Sequence, residues 1–289
     1  MSGVIDHEWC ARNPLPGAEG GDKEDRGRVL VVGGSAFVPG APILTATAAL
    51  RVGAGKVQIA VPDAVAIGIG IGFPESAIIG LPTDEAGDIS PAAVDQLQRP
   101  VDAAVVGPGM SDGAEISEFV ARLLETIDRN TPLVLDAGAM TALTGCRLPL
   151  ERATTVLTPH HGELAKMTDV NKDVIEADPK RAAVDAAKRF NAIVVLKSDV
   201  TFIAKPDGTV LCFKSAAPGL GTAGSGDVLA GTIAGLLARG IEGHAAACWG
   251  VWLHGSAGVR AGEQHGKLGF LAREVLPFLS IEMEAAPHG

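Results

Sequence analysis

The sequence predicts an α/β fold, a largely parallel central sheet flanked by helices in α/β/α layers. Three observations point to it. Short runs rich in Val, Leu and Ala alternate with helical stretches, the pattern of buried strands joined by crossover helices. The polar and glycine-rich interruptions fall after those apolar runs, at the carboxyl ends of strands, where open parallel sheets bind ligands. Small aliphatic residues dominate and tyrosine is absent, which favours helices and parallel strands over a β-sandwich. A chain of 289 residues has ample length for a core. With no linker or internal repeat, the expected organisation is an irregular N-terminal segment, 1–26, and a single domain, 27–289.

The elements follow in order. Residues 1–26 are polar, and Asn13-Pro14-Leu15-Pro16-Gly17 is incompatible with a helix. The first strand, 29–32, ends in Gly33-Gly34-Ser35. Pro42 opens a helix to residue 50, stopped by Gly53-Ala54-Gly55, with proline in the first turn and glycine past the end. A second strand covers 57–61. Residues 67–72 alternate Ile and Gly, too much glycine for any element to be assigned. A third strand, 101–106, runs into Gly107-Pro108-Gly109. Phe119, Val120, Leu123, Leu124 and Ile127 give 116–129 a helical apolar face. The fourth strand, 133–135, ends in Asp136-Ala137-Gly138. The fifth, 155–157, ends in Thr158-Pro159-His160-His161-Gly162-Glu163. A helix over 179–190 precedes the sixth strand, 193–196, which ends at Lys197. Residues 201–204 and 210–213 flank Pro206-Asp207-Gly208 as a hairpin. Residues 245–259 are apolar nearly all round, a buried helix, and 271–283 closes the chain.

The stretch 217–231 carries the chemistry. Its glycines permit sharp turns and close approach of an anion to the backbone. The helix that follows has Val228, Leu229, Ile233, Leu236 and Leu237 as its buried face and Gly240 as its stop. Unpaired N–H groups at such a helix start bind phosphate. Asp227 sits in the first turn. An acid beside an anion site repels the anion unless it takes a proton or engages a metal. Gly219-Leu220-Gly221-Thr222-Ala223-Gly224 also fits the dinucleotide fingerprint, but Ser215-Ala216-Ala217-Pro218 separates it from the preceding strand, and Ser225-Gly226-Asp227 has no role in that motif. No Gly-Lys-Ser/Thr step follows, so a P-loop is excluded.

The formal charge of −10 argues against non-specific binding to nucleic acid or an anionic membrane. Cys10, Cys146, Cys212 and Cys248 lie far apart and read as reduced thiols of a cytoplasmic protein. No apolar run reaches transmembrane length, and the first 28 residues lack a signal-peptide core.

Taken together, the motifs resemble the ADP/ATP-dependent NAD(P)H-hydrate dehydratases of the ribokinase-like superfamily. The matching pieces are Val31-Val32-Gly33-Gly34-Ser35, Gly40-Ala41-Pro42 with Ala48-Ala49-Leu50-Arg51-Val52-Gly53-Ala54-Gly55, Val106-Gly107-Pro108-Gly109, Leu135-Asp136-Ala137, the Leu157-to-Glu163 stretch, Val195-Leu196-Lys197, and Thr222-Ala223-Gly224-Ser225-Gly226-Asp227-Val228-Leu229. They fall in the family's order over residues 27–275. Two positions depart from its pattern: Ser198 stands where a glycine usually follows the lysine, and Ala223 replaces the first of two paired glycines. Ser198 should still permit a turn, and Ala223 is acceptable if its φ is negative.

The resemblance implies repair of NADH or NADPH hydrated on the nicotinamide ring. The ring hydroxyl is phosphorylated from a nucleotide, and phosphate is then eliminated with help from the ring-nitrogen lone pair. It implies ADP, or ATP, as donor, with Mg²⁺. Asp227 is the implied base and a substrate contact. Ala41, Gly109 and His160 are the other implied contacts to the hydrated dinucleotide. Lys197, Ser198, Asp199, Val200, Thr201 and Gly226 hold the nucleotide. Gly224, Ser225 and Gly226 form an anion hole. Glu163 supports the metal or its waters, and Asp136 is placed to do either job. A homotetramer is implied as well. Two alternatives remain open, a ribokinase-like kinase of a small alcohol such as a vitamin precursor or sugar, and a non-catalytic nucleotide-binding regulator.

Overall fold

A computed structural model of the chain describes residues 2–17, 22–97, 100–145 and 149–289. In chain order, β1 (Ser2–Val4) and α1 (His7–Arg12) precede β2 (Arg28–Val32), α2 (Ala41–Arg51), β3 (Lys56–Pro62), α3 (Asp63–Gly72), β4 (Ser76–Leu81), β5 (Ala103–Val106), α4 (Ala114–Thr126), β6 (Leu133–Leu135) and α5 (Gly138–Thr141). There follow β7 (Thr155–Leu157), α6 (His161–Thr168), α7 (Lys172–Ala177), α8 (Pro179–Phe190), β8 (Ile193–Leu196), β9 (Val200–Ala204), β10 (Val210–Lys214), α9 (Ser225–Ala238), α10 (Gly243–His265) and α11 (Ala272–Ala285).

The strands form one sheet in the order β1-β10-β9-β8-β7-β6-β5-β2-β3-β4. Pairing is parallel from β4 through to β8; β9 runs antiparallel to both its neighbours, and β1 is parallel to β10. Alternation along each strand sorts the core into two layers. Val29 and Val31 of β2, with Ala103 and Val105 of β5, face α2, α9, α10 and α11. Leu30 and Val32, with Ala104 and Val106, face α4, α6 and α8. The α/β/α layering read from the sequence is therefore the architecture. α2 and α9 pack closely because Gly231 lies against the Thr45 carbonyl, where a Cβ would come within 2.1 Å of the oxygen. That contact sets the amino-terminal ends of both helices side by side above the sheet.

Four expectations are corrected or extended. The segment before residue 27 is not wholly irregular: β1 extends the sheet, Ile5, Cys10 and Leu15 are buried, and Trp249 Nε1 donates to the Asn13 carbonyl at 2.9 Å. Its partners are some 200 residues away, and its few apolar residues follow no period. The Ile/Gly stretch is α3, anchored by Ile69 and Phe73 while Ile67 and Ile71 stay exposed. Asp63 in its first turn and packing against β3 and β4 outweigh the glycine cost. The edge strand β4 and the short helices α6 and α7 add elements that the sequence did not single out. Cys10, Cys212 and Cys248 are free thiols; Cys146 lies outside the described residues. Among the described residues no helix is long and apolar enough to cross a membrane.

Candidate active site

The carboxyl ends of β2, β5, β6, β7 and β8 and the amino-terminal turns of α2, α6 and α9 converge on one cleft. Gly109, after β5, is left-handed at φ +73°, and a Cβ there would meet the Val38 carbonyl oxygen at 2.6 Å and the Ala41 methyl at 3.0 Å. Only glycine fits such a position without strain. Ala41, the first residue of α2, is buried beside it. The two expected dinucleotide contacts are therefore brought together, with Gly34 as a third member.

Asp136 ends β6. It is buried at 3% exposure, accepts from Thr158 Oγ1 at 2.7 Å and is paired with Lys197 Nζ at 3.1 Å, both on Oδ1. The next residue, Ala137, has φ 46° and ψ −128°, a strained conformation for alanine. A Cβ on Gly107 would come within 1.8 Å of the Asp136 carbonyl oxygen, so the first glycine of Gly107-Pro108-Gly109 is what lets β5 and β6 end so close together.

His160 and Glu163 start α6 as a capping box. His160 Nδ1 accepts from the Gly162 and Glu163 amides at 3.0 and 3.2 Å, and Glu163 Oε2 accepts from the His160 amide at 2.8 Å. Nδ1 is therefore the acceptor and Nε2 carries the proton. The imidazole is over half exposed, with Nε2 3.6 Å from Glu163 Oε1. Its neighbour His161 turns toward Glu176, with Nδ1 3.6 Å from Oε1.

Lys197 ends β8, and its amide donates to the Pro159 carbonyl at 2.8 Å, which ties it beside His160. Its ammonium also lies 3.7 Å from Glu163 Oε2. Burial disfavours the ammonium, but Asp136, Glu163 and Asp227 outweigh it and hold Lys197 above the usual lysine range. Ser198 to Thr201 form the turn into β9, where Ser198 Oγ donates to the Val200 carbonyl at 2.7 Å and Thr201 Oγ1 to the Ser198 carbonyl at 3.3 Å.

The glycine-rich loop closes the cleft. Gly224 is left-handed at φ +88° and packs on Leu44 of α2. Ala223 is not among the residues with positive φ, so the alanine departure sits in a conformation it tolerates, and Ser198 likewise. Among the described residues the amides of Gly224, Gly226 and Asp227 make no backbone hydrogen bond, whereas the Ser225 amide makes a long one of 3.3 Å to the Thr222 carbonyl. A Cβ on Gly226 would stand 3.3 Å from Lys197 Nζ, so this turn faces the lysine directly. Asp227 makes no side-chain hydrogen bond among the described residues. Burial, then the nearby Asp136 carboxylate, pushes its pKa up to about 7, against the pull of Lys197. The site thus combines free amides, one ammonium and a carboxyl poised to exchange a proton near neutrality.

Three carboxylates surround one ammonium, so a bound polyphosphate needs further positive charge. Glu163 Oε2 serves the capping box, which leaves the carboxylate free for indirect contacts at most, and among the described residues no three His, Cys, Asp or Glu side chains are grouped to cage a metal. Asp136 Oδ2 has no partner there. This donor set fits an ion that keeps its waters and leans on phosphate oxygens, as Mg²⁺ does.

A family profile described as NAD(P)H-hydrate dehydratase matches residues 29–279. The chain belongs to that family. It is 45% identical to an ADP-dependent (S)-NAD(P)H-hydrate dehydratase of Xanthomonas campestris, over 96% of this chain and 94% of that protein. It is 41% identical to a bifunctional NAD(P)H-hydrate repair enzyme of Moorella thermoacetica over 94% of this chain, and covers 52% of that longer protein. Among solved structures, the ADP/ATP-dependent NAD(P)H-hydrate dehydratase of Bacillus subtilis, co-crystallised with ATP and Mg²⁺, superposes with a TM-score of 0.85 at 27% identity, covering 98% of each chain. The ribokinase-like fold expected from the motifs is the fold of the chain.

One feature of the cleft escaped sequence reading. His254, in the apolar run of α10, lies 3.1 Å from Ser225 Oγ through Nε2. A histidine inside the apolar run 245–259 was the available signal.

Proposed function

We propose that the chain is an ADP-dependent (S)-NAD(P)H-hydrate dehydratase that returns hydrated NADH or NADPH to the reduced cofactor. The observation that supports it most is Asp227, a half-buried carboxyl without a hydrogen-bond partner among the described residues, raised to about 7, beside the free amides of Gly226 and of its own backbone.

The hydrated nicotinamide lies along Gly34, Ala41 and Gly109, where the missing side chains allow close approach, and His160 donates through Nε2–H. The nucleotide lies along Lys197 to Thr201. Asp227 accepts the proton of the C6 hydroxyl as that oxygen attacks the terminal phosphorus of ADP. The P–O bond to AMP breaks, and the amides of Gly224, Ser225 and Gly226 take the charge on the transferring group; Ser225 does so by exchanging its long turn bond for the phosphate. Lys197 swings between Asp136 and phosphate. The ring nitrogen then expels phosphate from C6, and loss of a ring proton restores the double bond. The products are NAD(P)H, AMP and phosphate. Mg²⁺ would bind phosphate oxygens, with Asp136 and Glu163 reaching it through water, and would neutralise charge on the transferring group. We further infer a cytoplasmic homotetramer, which light scattering of the purified protein tests.

The test is turnover of chemically hydrated NADH with Mg²⁺ and either ADP or ATP, followed by the return of NADH absorbance. Return with ADP supports the assignment and its donor. No return with either nucleotide, from folded protein, overturns it and directs the search to kinase activity on small alcohols.

A further inference from the structure

The catalytic turn is fastened from beneath by a pair of buried polar residues. Ser225 is the first residue of α9, and its side chain points away from the cleft to His254 of α10, both residues being under a tenth exposed. The two side chains are joined by the 3.1 Å contact between Ser225 Oγ and His254 Nε2, and the imidazole also meets the Ser225 backbone. The surroundings are apolar: Val251, Leu253 and Ala257 of the same helix are buried, and so are Val228 and Leu229 of α9. Burying two polar groups costs free energy that a well-packed aliphatic pair would not. Specificity of position is what such a bond adds.

Its place in the chain gives that specificity a use. The turn enters α9 through left-handed Gly224, and no side-chain cap fixes the helix start. Gly226 and Asp227, next in sequence, supply the unpaired amides and the titrating carboxyl. Any rotation of Ser225 about the Gly224 turn carries those groups with it. We propose that His254 is a positioning residue, whose hydrogen bond to Ser225 holds the first turn of α9 so that the amides and carboxyl meet the transferring phosphoryl group. This rests on the phosphoryl-transfer reading above.

The imidazole acts as an uncharged holder. Burial, then repulsion from Lys197, pushes its pKa down to about 4, despite a hydrogen bond with the Ser225 backbone that works the other way. Proton delivery through Ser225 is the competing role, and the choice of variants separates the two. His254→Leu keeps volume and removes the bond. His254→Gln carries an amide nitrogen where Nε2 lies but cannot relay a proton. Ser225→Ala removes the Oγ–Nε2 bond from the other side at the cost of one oxygen and leaves the contact with the Ser225 backbone in place.

The experiment measures kcat and KM for ADP on hydrated NADH, corrected for the folded fraction, with calorimetric binding of inorganic phosphate to the same proteins. Misplacement on the scale of 1 Å costs about 100-fold in rate. His254→Leu and Ser225→Ala are therefore each expected to lower kcat about 10- to 100-fold with little change in the ADP KM. The double variant should be no worse than the poorer single one, as for residues acting as a unit. His254→Gln should recover most of the rate, and phosphate binding should weaken and recover in parallel. Should His254→Leu fail to fold, Ser225→Ala carries the test. Full activity in Ser225→Ala, or a His254→Gln protein as slow as His254→Leu, overturns the proposal. If the wild-type protein does not turn over hydrated NADH, the dehydratase reading fails on its own, and phosphate binding still decides the role of His254.

Discussion

Replacing Asp227 by Asn should abolish turnover and stabilise the protein together. A carboxyl whose folded pKa is about 7 against 3.8 in the unfolded chain binds its proton more tightly when folded. The unfolded state therefore loses that proton first, and stability falls as the pH rises from about 4 to about 7, with the full cost present above 7. A shift of about three units corresponds to an upper bound of about 4 kcal/mol at 1.36 kcal/mol per unit. Solvent access to this half-buried group reduces the bound to about 1–2 kcal/mol of net gain for the neutral amide, or about 2–4 °C in Tm for a chain of this size. Thermal unfolding of both proteins between pH 5.5 and 8.5 measures it. The gain should be constant above pH 7.5 and shrink as the pH is lowered. An Asn variant that is less stable at pH 8, or whose difference from wild type ignores pH, refutes the picture of a desolvated carboxyl held for function at a cost in stability.

Other outcomes follow from the same geometry. The rate should rise with pH through about 7 as Asp227 deprotonates, which a pH profile of kcat/KM for hydrated NADH reads directly. Lys197→Met removes the ammonium that lowers the Asp227 pKa, so residual activity, reduced about 100-fold or more, should have its acid limb moved upward. Gly109→Ala forces a side chain to φ +73° and into the Val38 carbonyl; a loss of about 1–3 kcal/mol in denaturant titration and a raised KM for the hydrated cofactor are expected. Ala223→Gly should leave kcat within about twofold and change stability by under about 1 kcal/mol, because the position does not require a positive φ.

The legible parts of the sequence were those where a local pattern determines the outcome. Central strands buried on both faces read as short apolar runs, and the alternation of strand and helix identified the layers. The loop before α9 was readable because glycines, an acid and an apolar helix follow one another within fifteen residues. The N-terminal strand was not readable, because β1 is only three residues long and its partner, β10, begins at Val210. The Ile/Gly run hid α3 because the helix is anchored by only one face, at Ile69 and Phe73. At the site, the sequence placed Asp227, Lys197 and Gly109 on separate loops but gave no reason for Asp136 to sit under Lys197. The capping role of Glu163 is a local pattern, three residues after His160 at the helix start, whereas the bond from His254 to Ser225 depends on how α9 and α10 pack, which no spacing reveals.

The most direct measurement of the central claim follows an oxygen atom. Hydrated NADH carrying ¹⁸O in its C6 hydroxyl is converted with ADP and Mg²⁺, and the inorganic phosphate is analysed by mass spectrometry. Phosphorylation of the hydroxyl before elimination places the label in phosphate, in step with the AMP and NADH formed. Label appearing in water, with unlabelled phosphate, would mean that hydroxide leaves directly and that the glycine-rich turn and Asp227 do not serve phosphoryl transfer.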